Sequence, residues 1–524
     1  MKVLQKLIAG LASLLLIAAA TPALAADRYN PDDTITADGQ ILTTVTDGEG
    51  GTNDNDLVLQ PGGVEEGGTR GKWLHCVSAG DPTCDYNNSK LDILQWAILP
   101  NCALSSSPFC IKSLEVAAPG EQLQPAKFLG ESKGGVRYAA DPATNMIEAG
   151  RPSLFEATQA PNLGGSATYA VGVVATSHYN FKTKRYDVTD LTAHLRAYRN
   201  KAGQYKASYF DKTKDAESLR QGGGEVNTCA FVEDGNCGFI VDFTPGTRFK
   251  LEMAIPNSVG GWFQGRLKDP VVAITPGAAG ANTVSVEAEP VVVPKMAVVR
   301  NLADYTAKEK TWLQNNGNWG TNARGRATGA GAGREDVFEF VEFYRKLAND
   351  TAAGTQSFWS LGTVMGGAGS PCLQDTSKVI GIVTTNSMGF EGRSPAFTKG
   401  YLNYKVTGLH FMPDGTTPVQ GTYDLVMRSD AARCLYGFTN APISATVSVI
   451  GGDTSSVATT VVSEKNGWLK MAAYGFTFSQ KTLTVRMTQA KAPAVKKTIT
   501  CVKGKLVKKV TAVNAACPAD YKKR

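Results

Sequence analysis

The stretch Phe249-Lys250-Leu251-Glu252-Met253-Ala254-Ile255 decides the fold class. Its odd-numbered positions are all apolar, whereas positions 250 and 252 carry charge. Successive side chains of a strand point to opposite faces of a sheet, so a period of two indicates a strand with one buried face. The chain is therefore predicted to form a β-strand here.

On either side of this stretch, apolar runs at 169–175, 238–243 and 271–274 predict strands that are buried on both faces. The segment 191–200 fits a helix through Leu191, Leu195 and Tyr198, and it also alternates as a strand. We favour the strand, because a Lys-Ala-Gly turn follows it. Residues 70–294 are therefore expected to form one β-rich domain with disulfide hairpins.

Downstream, the pattern changes to helical periodicity. Helices are predicted at 302–314 and at 335–348, the second with an apolar stripe, and a glycine-rich loop at 317–333 separates them. Short strands then follow one another at roughly 8–12-residue spacing, which is typical of an antiparallel sandwich. They are predicted at 378–383, 402–406, 423–427, 445–450, 457–462, 468–478 and 483–487.

These elements predict a mainly β protein. Two antiparallel β-sandwich-like regions, 70–294 and 355–490, are expected to be joined by a short helical and glycine-rich connector at 295–354. A small disulfide-tied β tail is expected at 491–524. The order of elements shows no β-α-β alternation, which disfavours a doubly wound nucleotide-binding fold.

The N-terminus predicts export. Lys2 and Lys6 precede an apolar run at 7–20, and Ala23-Leu24-Ala25 has the small residues that a signal peptidase requires. A membrane anchor is the alternative, but this run is shorter than the ~20 residues that span a bilayer. We expect residues 1–25 to be a signal peptide, and the mature chain to be secreted with no membrane span.

The ten cysteines all follow the predicted cleavage site. An exported chain meets oxidising conditions, so disulfides are expected, and the spacing does not suit zinc. Five sequential pairs are predicted: Cys76–Cys84, Cys102–Cys110, Cys229–Cys237, Cys372–Cys434 and Cys501–Cys517. A nested arrangement, Cys76–Cys110 with Cys84–Cys102, is the competing connectivity.

The overall charge of +7 conceals two opposite ends. Residues 26–69 hold ten carboxylates and one arginine, for a net −9, and many glycines. This segment is predicted to be an acidic flexible arm. Residues 491–524 hold ten basic groups and one acid, for a net +9. Acidic arm and basic tail therefore offer one route to self-association.

The basic tail has three interpretations. It is a solvated appendage, a binder of anionic cell-wall polymer or acidic glycan through Lys503, Lys505, Lys508 and Lys509, or a nucleic-acid binder. Nucleic acid is the least favoured, because Tyr521 is the only aromatic residue among the lysines. We favour the anionic polymer.

The tail also resembles a known kind of segment. Thr500-Cys501-Val502-Lys503-Gly504-Lys505, Lys508-Lys509-Val510-Thr511 and Cys517-Pro518-Ala519-Asp520-Tyr521-Lys522-Lys523 are similar to the short basic two-cysteine tails of secreted actinobacterial surface proteins. Asp520 precedes the tyrosine where a glycine is frequent in those tails. The resemblance covers about residues 496–523. It implies export and association with a wall or surface, and it carries no catalytic residue.

A cluster of acidic residues in the arm is a candidate calcium site. Asp47, Glu49, Asp54 and Asp56 lie within ten residues, and Ca²⁺ takes six to eight oxygen ligands. The spacing of an EF-hand is absent. A solvated acidic loop is the favoured interpretation, with calcium as the one cofactor that the sequence suggests.

Two tryptophans are candidates for glycan contact. Trp262 and Trp319 are both flanked by glycines and amide side chains, in segments that are predicted to be loops. An exposed indole ring beside amides stacks on a sugar and bonds its hydroxyls. The alternative is a tryptophan folded onto its own domain.

The known catalytic motifs do not occur: the chain has no GxSxG, no P-loop and no HExxH. The sequence therefore favours a secreted, disulfide-stapled, non-catalytic protein of the cell surface or wall with a structural or glycan- or anionic-polymer-binding role. The alternative is an extracellular polysaccharide hydrolase whose carboxylates are dispersed along the chain, as Glu252 and Asp424 are.

Overall fold

A computed structural model describes most of the chain. The described residues are 28–29, 40–45, 47, 56–61, 74–78, 80–84, 91–210, 220–223, 228–316, 318–320, 326–328, 332–364, 370–450, 459–478, 481–489 and 497–524. The predicted signal peptide, 1–25, lies outside these ranges. Within them the protein is mainly β, as the sequence predicts.

Strands dominate the first part of the chain. In chain order they are β1 (Gln40–Thr44), β2 (Asp56–Pro61), β3 (Leu74–His75), β4 (Leu91–Ile98), β5 (Cys110–Ala117), β6 (Gln124–Pro125), β7 (Lys127–Glu131), β8 (Ser153–Glu156), β9 (Thr168–Asn180), β10 (Arg185–Ala202), β11 (Lys206–Phe210), β12 (Arg220–Gly223), β13 (Cys229–Glu233), β14 (Asn236–Ile240), β15 (Arg248–Pro256), β16 (Gly261–Pro276), β17 (Ala281–Lys295) and β18 (Ala297–Asn301).

Among the described residues, the α-helices lie in the second part of the chain. The elements there are α1 (Ala307–Asn316), β19 (Asn318–Gly320), β20 (Arg326–Thr328), α2 (Val337–Arg345), β21 (Gly354–Val364), β22 (Val379–Thr385), β23 (Gly389–Phe390), β24 (Ala396–Thr398), β25 (Tyr401–Thr407), β26 (Gln420–Arg428), α3 (Ser429–Tyr436), β27 (Ile443–Ile450), β28 (Thr459–Lys465), β29 (Trp468–Thr477), β30 (Lys481–Gln489), β31 (Lys497–Lys503), β32 (Leu506–Ala512) and β33 (Lys522–Lys523). Short 3-10 helices cover Pro82–Cys84, Leu302–Asp304 and Pro371–Leu373.

The deciding stretch folds as predicted. In β15, Phe249, Leu251, Met253 and Ile255 are all completely buried, while Lys250 is half-buried. The strand pairs antiparallel with β5 on one side and β17 on the other. Its alternation therefore places one face in the core, as a period of two requires.

The ambiguous segment 191–200 is part of the strand β10, which confirms the strand interpretation. Of the helices, α2 buries Val337, Phe340, Val341 and Tyr344 on one stripe, as the periodicity predicts. The helix α3 lies where only strands are predicted. No described helix has the length and apolar character needed to cross a membrane.

The two predicted sandwich-like regions share strands, which corrects the boundary between them. Strand β21 pairs with β10, β16 and β17, and β22 runs parallel to β16. Through such pairings nineteen of the described strands join one hydrogen-bonded network. Regions 70–294 and 355–490 are therefore not separated by the connector at 295–354.

Each region nevertheless has its own hydrophobic core. The first is built mainly from residues of 93–288, and Trp359, Ile382 and Val426 of the second region also belong to it. The second is built mainly from residues of 296–487, and Ile41 and Trp262 contribute to it. The shared strands therefore send side chains into both cores.

The predicted flexible acidic arm is wrong where the structure describes it. Strand β1 pairs antiparallel with β18, and Ile41 and Leu42 are buried. Strand β2 pairs with β3 and β4. The reason is that short apolar runs such as Ile41-Leu42 lie between the acids and complete sheets of the body.

All five sequential disulfides form: Cys76–Cys84, Cys102–Cys110, Cys229–Cys237, Cys372–Cys434 and Cys501–Cys517. The nested connectivity is therefore wrong. The three disulfides whose cysteines are eight residues apart close local turns. Cys372–Cys434 instead links α3 to the 3-10 helix Pro371–Leu373.

Candidate functional site

The basic tail forms a small sheet of its own, which we call the tail sheet (β31, β32 and β33). Its strand order is β32-β31-β33, and among the described residues each strand pairs only with other members of the sheet. Gly504 and Lys505 make the turn between β31 and β32, and Gly504 has a positive φ of 58°. Cys501, completely buried, is bonded to Cys517. The predicted disulfide-tied β tail is confirmed.

The strand register divides the lysines between two faces. Lys508 and Lys523 both lie opposite Cys501, so they share the face that carries the disulfide. Lys509 lies opposite Thr500, and Lys522 lies opposite Val502, so these two share the other face. We call the first the cystine face and the second the open face.

Nothing on the open face is buried. Thr498, Lys509, Thr511 and Lys522 are exposed, and Val507 is 60% exposed. Thr498 Oγ1 and Thr511 Oγ1 are hydrogen-bonded at 2.8 Å, which orders the two hydroxyls side by side. The open face is therefore a surface of threonine and valine with lysines at both edges.

The four predicted tail lysines fall within one hairpin: Lys503 ends β31, Lys505 is in the turn, and Lys508 and Lys509 are in β32. All four are exposed. Lys503 Nζ lies 3.2 Å from Asp520 Oδ2, but their side chains are 51% and 73% exposed, so water screens this pair. The tail sheet thus keeps most of its positive charge available.

The prediction for Trp262 is wrong. Its side chain is completely buried in β16, and its Nε1 donates a hydrogen bond to the carbonyl oxygen of Leu373 at 2.9 Å. The preceding Gly260 marks a close approach rather than a loop, because a Cβ there would lie 2.1 Å from the Thr376 oxygen. A ring enclosed in this way cannot stack on a sugar.

Trp319 belongs to the strand β19, which pairs with β20, so it lies in a strand rather than the predicted loop. Its side chain lies outside the described residues. Its predicted glycan contact stays a prediction.

The calcium prediction fails at Asp47. This carboxylate is buried between two cations: Arg266 Nε lies 3.0 Å from its Oδ1, and Lys295 Nζ contacts its Oδ2. Arg266 and Lys295 occupy the positions that a metal ion would need. Glu49 and Asp54 lie outside the described residues, and Asp56 begins β2 with its side chain outside them.

The buried charges around Asp47 form a saturated network. Arg266 Nη1 donates to the carbonyl oxygens of Thr385 and Ser387, at 2.9 and 2.7 Å. Burial opposes the charge of Asp47, but Arg266 and Lys295 together hold its pKa below the ordinary value. Because β16, β17 and the segment before β2 meet here, the network joins distant parts of the chain.

A second charged cluster was not predicted. Asp269 is at a bulge in β16, with φ of +54°, and it contacts both Lys470 of β29 and Arg248 of β15. The adjacent Asp424 of β26 is completely buried. The one available signal was Asp269-Pro270 within an apolar strand, because a proline there favours a bulge.

The environment of Asp424 favours its protonated form more than water does. Burial raises its pKa to about 6, although a hydrogen bond from Tyr474 and the charge of Lys470 act in the opposite direction. Tyr474 Oη donates to Oδ1 at 2.5 Å, and the backbone N–H of Asp269 donates to Oδ2 at 3.2 Å. Two acids of the kind a hydrolase needs are therefore close together, but Asp424 has no exposed surface that a polymer could reach.

Within the described ranges, no group of three or more His, Cys, Asp or Glu side chains is arranged to hold a metal ion. Comparison of the chain with models of protein families, with curated proteins and with solved structures finds no match.

Proposed function

We propose that the protein is a secreted, non-catalytic component of a cell surface or cell wall that binds an anionic polymer or acidic glycan through its tail sheet. The observation that carries the proposal is the isolation of this sheet. Within the part of the chain that the structure describes, its strands pair only with one another, and its lysines are exposed on both faces. A β-rich body held by four further disulfides would be the part that the tail retains at the surface.

The charge arrangement supports this function. Ten basic groups and one acid lie within residues 491–524, and a linear polyanion is the partner that such a surface attracts over the longest range. The disulfide holds the strands in place before binding, so less conformational entropy is lost when a ligand is bound. The resemblance of residues 496–523 to tails of secreted surface proteins agrees with a role outside the cell.

The experiment compares two charge-matched variants of the full chain. One changes the hairpin lysines Lys503, Lys505, Lys508 and Lys509 to Gln, and the other changes four exposed body lysines, Lys127, Lys133, Lys182 and Lys184, to Gln. Binding to immobilised teichoic acid and to a polyuronate is measured at increasing salt. We expect the tail variant to lose binding and the body variant to keep it.

Salt should weaken the interaction strongly, because exposed charges are screened over about 8–10 Å at ordinary ionic strength. Equal binding by both variants would contradict the proposal. Binding that persists at high salt would also contradict it, because an electrostatic contact between exposed groups would not survive there.

A further inference from the structure

We propose that Lys470 and Asp269 condense into an intramolecular amide cross-link, with Asp424 as the group that moves the proton. The bond would join β29 to β16, which are 201 positions apart at these residues. It would be a covalent modification independent of the five disulfides and of the function of the tail sheet.

The two reacting groups are already in contact. Lys470 Nζ contacts Asp269 Oδ1, and the side chain of Lys470 is only 15% exposed. The bulge in β16 turns Asp269 out of the strand pattern and toward β29. Holding an amine against a carboxyl group in this way raises their effective concentration to ~10⁵ M or more, which favours condensation over hydrolysis.

Asp424 lies where a proton carrier is required. It is opposite Ala472 in the register of β26 and β29, so it shares a face with Lys470 and Tyr474. Its Oδ2 accepts a hydrogen bond from the backbone of Asp269. Because burial raises its pKa to about 6, Asp424 can both accept and release a proton near neutral pH.

Arg248 is placed to stabilise the intermediate. Its Nη1 lies 3.1 Å from Asp269 Oδ2, the oxygen that faces away from the lysine. Attack on the carboxyl carbon makes that oxygen more negative, and a fixed guanidinium lowers the energy of this state. Arg248 is itself held by Glu287, whose Oε1 lies 2.5 Å from its Nε.

The step balances without any external reagent. Asp424, as the carboxylate, takes a proton from the ammonium group of Lys470 and passes it to the Asp269 oxygen that faces Lys470, which gives a neutral amine and a neutral carboxylic acid. The amine attacks the Asp269 carboxyl carbon to form the C–N bond. Asp424 then takes a second proton from the attacking nitrogen and delivers it to the same oxygen, and the C–O bond breaks to release water. An ammonium and a carboxylate thus become one amide and one water.

A second Lys–Asp contact, which is buried, provides an internal comparison. Lys295 and Asp47 are more deeply buried, at 5% and 6% side-chain exposure. Burial lowers the pKa of Lys295, and the charged groups among the described residues that also act on it are Asp47, Arg266 and Arg28, of which Asp47 is the one acid. Without a proton carrier, we expect Lys295 and Asp47 to remain an ion pair.

The experiment is intact mass spectrometry of the full secreted chain after reduction and alkylation, followed by peptide sequencing. We expect the wild-type chain to be lighter than its sequence by one water, with one branched peptide that joins Lys470 to Asp269. The variant Lys470→Arg keeps the positive charge but should have the full sequence mass. Asp424→Asn should also have the full mass.

Lys268→Arg is the matched control, because Lys268 pairs with Glu289 at 2.9 Å in the same cluster and should not affect the cross-link. A wild-type chain of full sequence mass would overturn the proposal. So would a water loss that persists in Lys470→Arg, or that maps to Lys295 and Asp47. An Asp424→Asn chain that still cross-links would remove Asp424 from the mechanism and overturn its assigned role.

Discussion

At the scale of single residues, the protonation of Asp424 should make stability depend on pH. Its folded pKa is about 6, above the ordinary value of 3.8, so the folded state binds this proton more tightly than the unfolded state does. Its contribution to stability is therefore present below pH 4 and is lost as the pH rises through 6. The upper bound of this loss is about 3 kcal/mol.

The variant Asp424→Asn should remove this dependence. The amide oxygen of Asn can accept from the N–H of Asp269, as Oδ2 of the acid does, and its N–H group can donate to Tyr474 Oη, which reverses the bond that Tyr474 donates to the acid. Urea unfolding at pH 4, 6 and 8 in a Lys470→Arg background, which cannot cross-link, isolates the effect. We expect Asn to be more stable than Asp at pH 8, with the advantage shrinking toward pH 4. A difference that does not change with pH would contradict this assignment.

Whereas burial of Asp424 favours its protonated form, Asp47 should stabilise the fold as a carboxylate, because the buried cations Arg266 and Lys295 require its negative charge. The variant Asp47→Ala leaves Arg266 and Lys295 buried without a carboxylate, which should cost about 3–5 kcal/mol of unfolding free energy. Glu156→Ala is the control, since its pair with Lys127 is exposed and 3.9 Å long, and should cost less than about 1 kcal/mol. Equal losses of unfolding free energy in the two variants, measured by urea unfolding, would show that Asp47 stabilises the fold no more than an exposed ion pair does.

The surroundings of Asp47 and Trp262 could not be predicted from the sequence. Asp47 was grouped with its acidic neighbours, because the sequence places Arg266 and Lys295 more than two hundred positions away. Trp262 was assigned to a loop, because the glycines beside it indicate flexibility when viewed locally. In both cases the deciding contact is long-range, and composition around the residue contains no information about it.

At the scale of elements, the tail sheet permits a test of which face binds. Lys509 and Lys522 lie on the open face, and their chain neighbours Lys508 and Lys523 lie on the cystine face. Changing either pair to Gln removes the same charge from the same two strands. We expect Lys509→Gln with Lys522→Gln to weaken polyanion binding more, because the segment from β32 to Cys517 returns over the cystine face.

The measurement is the dissociation constant for one teichoic acid preparation at a fixed salt concentration. Both double variants should retain the Cys501–Cys517 bond, which mass mapping checks. Equal losses would mean that the sheet binds through its total charge and that neither face is preferred, contrary to the prediction.

Most elements could be predicted from the sequence because their information is local. The alternation in β15 and the stripe of α2 each follow from a period that neighbouring residues carry. The helix α3 was missed because it is short and begins directly after β26, where the strand pattern masks its start. Gly437, in the left-handed region with φ of +65°, was the available signal for its end.

At the scale of the whole molecule, sequence patterns predicted two regions, and the structure adds the strands that they share. The register between β16 and β21 pairs residues that are 94 to 102 positions apart in the chain, from Arg266 opposite Ser360 to Trp262 opposite Val364. No periodicity within either strand specifies that partner. The consequence is that neither core can lose its strands without exposing part of the other.

The body should therefore unfold as one cooperative unit, while the tail sheet unfolds separately. Calorimetry should give one main transition for the body, with a van't Hoff enthalpy close to the calorimetric one. The same single transition is expected in Lys470→Arg, because β21 and β22 still pair with β16 when no amide joins β29 to it. Replacing Cys501 and Cys517 by Ser should leave this transition unchanged, since the tail sheet pairs with none of the described body strands. Two resolved body transitions in Lys470→Arg would mean that the shared strands do not couple the two cores. The regions 70–294 and 355–490, which the sequence predicts as separate, would then unfold independently.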